Sequence, residues 1–238
     1  MQNADNLFGY DSLAFFGRVN ASISHELKNI MAIISETAGL LGDLSEMAST
    51  GTPVDPDLLK SSAESIIEEI QRGFTTIRQM NRFSHSVDVP VSSVNLLELL
   101  DLVRHLSDYL PFPGKIRLAP WEGDPPMVQT CAYQLQALVY EVTVRHLKNS
   151  GPDVELDITV EQRSDAGWDI VFSGLYIGEY QAFPDDQINQ SAGSINVDLE
   201  WDRANEYLRL QLPLTIPSSV PSANDSVQDL DDGGARSL

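Results

Sequence analysis

Apolar residues recur every seventh position from Phe16 onward. Phe16, Ile23, Ile30, Thr37 and Leu44 form one series, and Asn20, Leu27, Ile34 and Leu41 a second, offset by four. Two interleaved series of that kind make the a/d seam of one long helix, predicted here over residues 12–48. The stretch STGTPVDPD interrupts it: Gly51 and Pro53 end the first helix, Asp55 suits an N-cap, and Pro56 suits the first position of a new helix. That second helix, over 56–84, carries Leu59, Ala63, Ile66, Ile70, Gly73, Ile77 and Met80 on one face, widened by Ile67 and Phe74. Two helices joined by a short loop form an antiparallel hairpin. Its apolar stripe is broader than a lone hairpin can bury. A second copy completing a four-helix bundle would cover it, so a homodimer is expected. The alternative is that the stripe packs on the C-terminal half of the same chain.

The pattern changes after HSVDVPVSS. A helix is predicted over 95–110, then an irregular Pro/Gly segment, PFPGKIRLAPWEGDPP, then a helix over 131–148. Period-two alternation follows twice. Val154, Leu156, Ile158 and Val160 lead through RSDAG to Trp168, Ile170 and Phe172; Ile195, Val197, Leu199 and Trp201 lead through DRANE to Leu208, Leu210 and Leu212. These read as two antiparallel hairpins. Helices with antiparallel hairpins give an α+β chain. A helical hairpin over 10–86 precedes a two-layer α/β domain over 92–214. Residues 217–238 are Ser-, Pro- and Asp-rich and read as a disordered tail.

Composition narrows the partners. The chain has 35 acidic and 15 basic residues, a net charge of −20, which repels nucleic-acid backbones and anionic membranes. A single cysteine, Cys131, excludes an intrachain disulfide and fits a reducing compartment. No apolar run approaches the roughly 20 residues of a membrane span, and the N-terminus lacks a secretory pattern. A cytoplasmic setting is expected.

The heptad register also gives His25 a setting. With Ile23 and Ile30 at d and Leu27 and Ile34 at a, His25 falls at f, the position farthest from the seam. Asn29 falls at c on the same outer side, and Glu26 at g, flanking the seam. Periodicity alone leaves two readings: a solvated surface histidine, or an imidazole presented to a second protein. His85, His105 and His146 have no comparable setting, and no HxxxH or CxxC spacing points to structural zinc.

The residues Ser24-His25-Glu26-Leu27-Lys28-Asn29, with Phe16 upstream, resemble the H-box of two-component sensor histidine kinases, F-x-x-x-x-S-H-E-(L/I)-(K/R)-(N/T)-P-L. The Phe is spaced differently, and Ile30 stands where the family has Pro, so the usual kink is expected to be weakened or lost. Met80-Asn81-Arg82-Phe83-Ser84 resembles the family's L-L-x-F-S-R at the end of the second helix. The resemblance implies that His25 accepts a phosphoryl group. By it, Glu26 hydrogen-bonds the imidazole and accepts its proton, Asn29 positions a water or the receiver, and Lys28 contacts the partner.

The second half is similar to the family's ATPase domain with its chemistry removed. Val94 to Val103 resembles its opening segment, and Ser191 to Glu200 with Leu208 to Leu214 its last hairpin. The expected N-x-x-x-N-A aligns Glu141 and Arg145 with the two asparagines and His146 with the alanine. The D-x-G-x-G box aligns with Phe172-Ser173-Gly174-Leu175-Tyr176. An arginine cannot ligate Mg²⁺, and no following glycine pair offers a phosphate cradle. The resemblance therefore implies a dimeric four-helix bundle followed by a degenerate ATPase-like α/β sandwich. It implies a histidine phosphotransferase with a phosphohistidine intermediate, no bound cofactor, and Mg²⁺ supplied by a response-regulator receiver domain. A divergent kinase, a response-regulator phosphatase using Asn29, and a non-catalytic binding module are the alternatives.

Overall fold

A computed structural model describes residues 10–108, 110, 112, 114–151, 153–177 and 182–213. The tail expected over 217–238 lies outside them. Helix α1 spans Tyr10–Ser49 and α2 spans Pro56–His85, forming the expected hairpin. At 1.5 Å per residue α1 is about 60 Å long. Asp55 caps α2, its Oδ1 accepting from the Asp57 N–H at 2.9 Å, with Pro56 opening the helix. α1 runs unbroken through Ile30, because isoleucine keeps the N–H that proline would remove. The first seam series is inside the hairpin: Ile23, Ile30 and Leu44 are buried. Ile30 lies against Gly73 of α2.

The chain then forms β1 (Ser92–Asn95), α3 (Leu96–Asp108), β2 (Lys115–Leu118), β3 (Met127–Thr130) and α4 (Ala132–Asn149). β4 (Glu155–Gln162), β5 (Trp168–Ser173), α5 (Asp186–Ser194), β6 (Asp198–Asp202) and β7 (Tyr207–Leu212) complete it. The main sheet has five strands in the order β2-β4-β5-β7-β6; β2 pairs parallel with β4 and the other neighbours are antiparallel. β1 and β3 make a separate two-stranded ladder. Alternate residues of β4, β5 and β7, among them Leu156, Ile158, Ile170, Phe172, Leu208 and Leu210, bury into one core with α3 and α4. The α+β class is as expected.

Two expectations are corrected. PFPGKIRLAPWEGDPP is not wholly irregular, since Lys115–Leu118 joins the sheet as an edge strand. The last hairpin begins at Asp198 rather than Ile195. Ile195 instead closes α5, and Asn196 turns the chain at φ +54°. α5 itself was not anticipated.

The two halves share this core. Phe15 meets the Phe83 ring edge-on at 5.4 Å and the Tyr140 ring at 5.1 Å, while Phe16 stacks on Phe83. The base of the hairpin is thus rooted against α4. Farther along, a second apolar stripe stays in solvent: Leu40 and Met47 of α1, and Ile67, Ile70, Phe74 and Ile77 of α2. Among the described residues, no helix is long and apolar enough to cross a membrane.

Candidate functional site

Adjacent residues of a helix point about 100° apart, and α1 uses that divergence at His25 and Glu26. His25 is exposed on the outer face, with Ser24, Lys28 and Asn29 also exposed around it. The Asn29 side-chain amide lies one turn on, its Nδ2 3.3 Å from His25 Nδ1. Asparagine O and N exchange by a 180° turn of the amide. The same contact therefore serves either ring tautomer, Nδ2 donating to a bare Nδ1 or Oδ1 accepting from Nδ1–H.

Glu26 points the other way and is only 8% exposed. Its carboxylate accepts from Arg72 Nη2 across the hairpin. Arg72 Nη1 donates to Glu69 one turn earlier on α2, 3.3 Å from both oxygens. In this structure the Glu26 carboxylate lies in the hairpin seam on a guanidinium, and the imidazole's partner is Asn29. The g position flanks the seam, which explains why Glu26 is pulled inward.

Beside that ion pair is an open pocket of about 300 Å³, lined by Glu26, Arg72, Thr75, Thr76, Gln79, His105 and Asp108. It joins the hairpin to α3. Across it His105 Nδ1 lies 2.8 Å from the Asp101 carbonyl, and Arg104 holds Asp101 at 2.9 Å. Burial raises the Asp108 carboxyl above its ordinary range, against the pull of Arg104. Sequence reasoning missed Arg72 and His105. The i,i+3 spacing of Glu69 and Arg72 was visible, but it marks an ordinary surface pair until the antiparallel pairing brings residue 72 beside residue 26.

A second cluster forms where the aligned boxes of the α/β half meet. Arg145 Nη2 is 2.6 Å from Asp185, and its Nε is 3.4 Å from Glu141, which also faces Arg18 at 3.6 Å. Asp185 doubles as the N-cap of α5, accepting from the Ile188 N–H. His146 is fully buried, and its Nδ1 accepts the backbone N–H of Tyr176 at 3.1 Å. Burial lowers its pKa to about 4, so the ring is neutral. Phe172 is fully buried in β5, and Gly174 turns at φ +75° beside the Glu155 carbonyl.

No family model matches the chain, and no curated protein does. Solved structures with a similar arrangement include the histidine kinase AdeS of Acinetobacter baumannii (10% identity, 75% of this chain and 95% of that one, TM-score 0.40). The histidine kinase domain of the Erythrobacter litoralis EL346 blue-light activated histidine kinase is another (15% identity, 76% and 96%, TM-score 0.43). A third is the catalytic domain of histidine kinase ThkA (13% identity, 53% and 99%, TM-score 0.42). All three TM-scores lie below 0.5, so function has to be read from the side chains.

Proposed function

We propose that the chain is a histidine phosphotransferase, passing a phosphoryl group between His25 and an aspartate of a response-regulator receiver domain without using ATP. The observation that carries this reading is His25 itself: an exposed imidazole on the outer face of a long helix, held by Asn29, within the sequence SHELKN.

The reactive form has the Asn29 amide oxygen accepting from Nδ1–H, which leaves the Nε2 lone pair directed at solvent. That lone pair attacks the phosphorus of the receiver's aspartyl phosphate. The N–P bond forms, the acyl O–P bond breaks, and the aspartate leaves as a carboxylate with the bonding electrons. The Nδ1 proton stays on the ring, shared with Asn29. The reverse sequence returns the group. Asn29 is a positioning residue in this scheme, fixing the tautomer. Lys28, exposed beside His25, contacts the receiver, whose own acidic pocket brings the Mg²⁺.

The α/β half serves as scaffold and as a second contact surface. Its residues do not suit an ATP–Mg²⁺ pair. Arg145 puts a cation where a metal ligand would be needed, and that cation is engaged by Asp185 and Glu141. Phe172 buries an apolar ring where a polar reader of adenine would stand. The exposed apolar stripe of α1 and α2 supports a homodimer closed as a four-helix bundle.

The test is to charge a panel of receiver domains with acetyl [³²P]phosphate and mix each with the purified chain. The expected result is base-stable, acid-labile label on the wild type, none on His25→Ala, and slowed transfer to Asn29→Ala. Label persisting on His25→Ala, or no label from any receiver, would end this reading. Receiver dephosphorylation lost in Asn29→Ala but kept in His25→Ala would instead make it a phosphatase. Binding unaffected by either change would leave a non-catalytic module. Calorimetric titration with ATP and Mg²⁺ is expected to give no heat; micromolar binding would identify a kinase.

A further inference from the structure

An apolar groove of about 280 Å³ runs between the N-terminal end of α3 and the β2 side of the main sheet. Leu100 and Ile158 form its buried floor, and Leu97, Leu118, Trp121 and Val160 its half-buried walls. Trp121 is fixed there by its Nε1, which donates to the Asp124 carbonyl at 2.9 Å, and its ring meets the Trp168 ring edge-on at 5.7 Å. Opposite residues of paired strands share a face. The pairs Leu118–Ile158, Val160–Ile170 and Trp168–Leu212 therefore put the groove, Trp168 and Leu212 on the same helix-bearing face. β4 and β7 are each antiparallel to β5, so both run towards this end of the sheet. The chain leaves β7 at Leu212, whose carbonyl accepts from Arg163 Nη2 at 3.3 Å. Both neighbours of β7 stop at this level: Trp168, the first residue of β5, pairs with Leu212, and Asp198, the first of β6, pairs with Gln211. Beyond it the sequence continues Leu214-Thr215-Ile216 before the Ser-, Pro- and Asp-rich stretch. Leu214 and Ile216 prolong the alternation of Leu208, Leu210 and Leu212, with no strand left to pair on.

We propose that the groove is the seat of the chain's own residues 214–216, which fold back across the end of the sheet. Leu214 covers Trp168, and Ile216 enters between Leu97 and Trp121. The reach is sufficient: two strand spacings, about 10 Å, separate β7 from β4, and four extended residues span about 13 Å. Aliphatic side chains and indole rings leave water together, which is the driving force. A link this short also makes docking intramolecular, at an effective concentration in the mM range. A free apolar peptide would have to displace it.

The test uses the full chain with one spin label. Cys131 is the only cysteine, and at the N-cap of α4 it can be replaced by serine, a preferred capping residue. In a Cys131→Ser, Ser218→Cys chain carrying a nitroxide, ¹H–¹⁵N spectra follow the indole N–H of Trp121, Trp168 and Trp201. Trp201 lies on β6 at the far edge of the sheet, against Phe183, and serves as the reference. The nitroxide is expected to broaden Trp121 and Trp168 more than Trp201, and Leu214→Asp with Ile216→Asp to abolish that difference. A sharp Trp121 signal in the labelled chain would leave the groove to another protein and overturn the inference. So would broadening that survives both aspartates. Broadening of Trp121 only in a mixture, between ¹⁵N chain lacking the label and unenriched chain bearing it, would assign the groove to a second copy and overturn it too. A further check needs neither label nor cysteine change: ending the chain at Pro213 is expected to shift the Trp121 and Trp168 signals and leave Trp201 in place. Unmoved Trp121 and Trp168 signals would overturn the inference by themselves.

Discussion

The imidazole of His146 is sealed from solvent and has only a backbone N–H beside Nδ1, so charging it requires opening the domain. Its pKa is about 4 in the folded chain against 6.5 for the free side chain. The unfolded chain therefore binds the extra proton first, and stability falls as pH drops from about 6.5 towards 4, being fully present above that window. The loss amounts to roughly 3 kcal/mol by pH 4. Melting at pH 7 and pH 4.5 is expected to differ accordingly, and His146→Leu to flatten that part of the profile; an identical profile in the variant would assign the slope to other groups. At this scale the sequence was uneven. His25 could be placed outward because position f of a heptad has only one direction to face. The ion-pair partner of Glu26 could not be read from the periodicity, because a g-position carboxylate turns inward or outward according to what stands opposite, and Arg72 arrives from 46 residues away.

Among the elements, the hairpin was written plainly: a seven-residue repeat, a Pro/Gly break, and an Asp-Pro start that the structure caps as expected. Gly73 adds a test. It sits within α2, where glycine costs about 0.5–1 kcal/mol relative to alanine. A methyl group there would rest 3.6 Å from Ile30 Cγ2, an ordinary contact. Gly73→Ala is therefore expected to stabilise the chain by up to about 1 kcal/mol, read as a higher denaturation midpoint; a lower midpoint would mean that α1 and α2 approach more closely at this level. The short elements were not legible. β1, β2 and β3 have four residues each, too few for alternation to register, and each becomes a strand only through its partner: β1 through β3, and β2 through the parallel edge of β4. α5 buries only Ile188 and Ala192, so its pattern is mostly polar. Its Asp185 cap was the one local signal.

For the whole molecule the open question is what covers the distal hairpin. Phe74 is 60% exposed in the protomer, and Ile67 and Met31 are nearly as open. If a second copy covers them, Phe74→Asp leaves the protomer's fold within about 0.5 kcal/mol, since the ring is already in solvent, yet puts an unpaired charge into the dimer. Sedimentation is expected to show a dimer for the wild type and a monomer for the variant. A variant still at dimer mass would move the interface elsewhere. The alternative raised by the sequence, packing on the C-terminal half, holds at the base: Phe15, Val19, Ile23 and Phe83 enter the shared core.

What the sequence determined by itself was local and periodic: the long hairpin, its break and cap, the outward place of His25, the alternating strands 155–162, 168–173 and 207–212, and the α+β class. Each follows from a repeat in which a residue's few neighbours along the chain decide its direction. Only the tertiary structure decided that Glu26 belongs to Arg72, that Arg145 is held by Asp185, that His146 is shut inside against Tyr176, and that one core roots the hairpin in the sheet domain. Those pairings join residues 30 to 125 positions apart, and a contact between distant segments is fixed by packing the whole chain, which no local window contains.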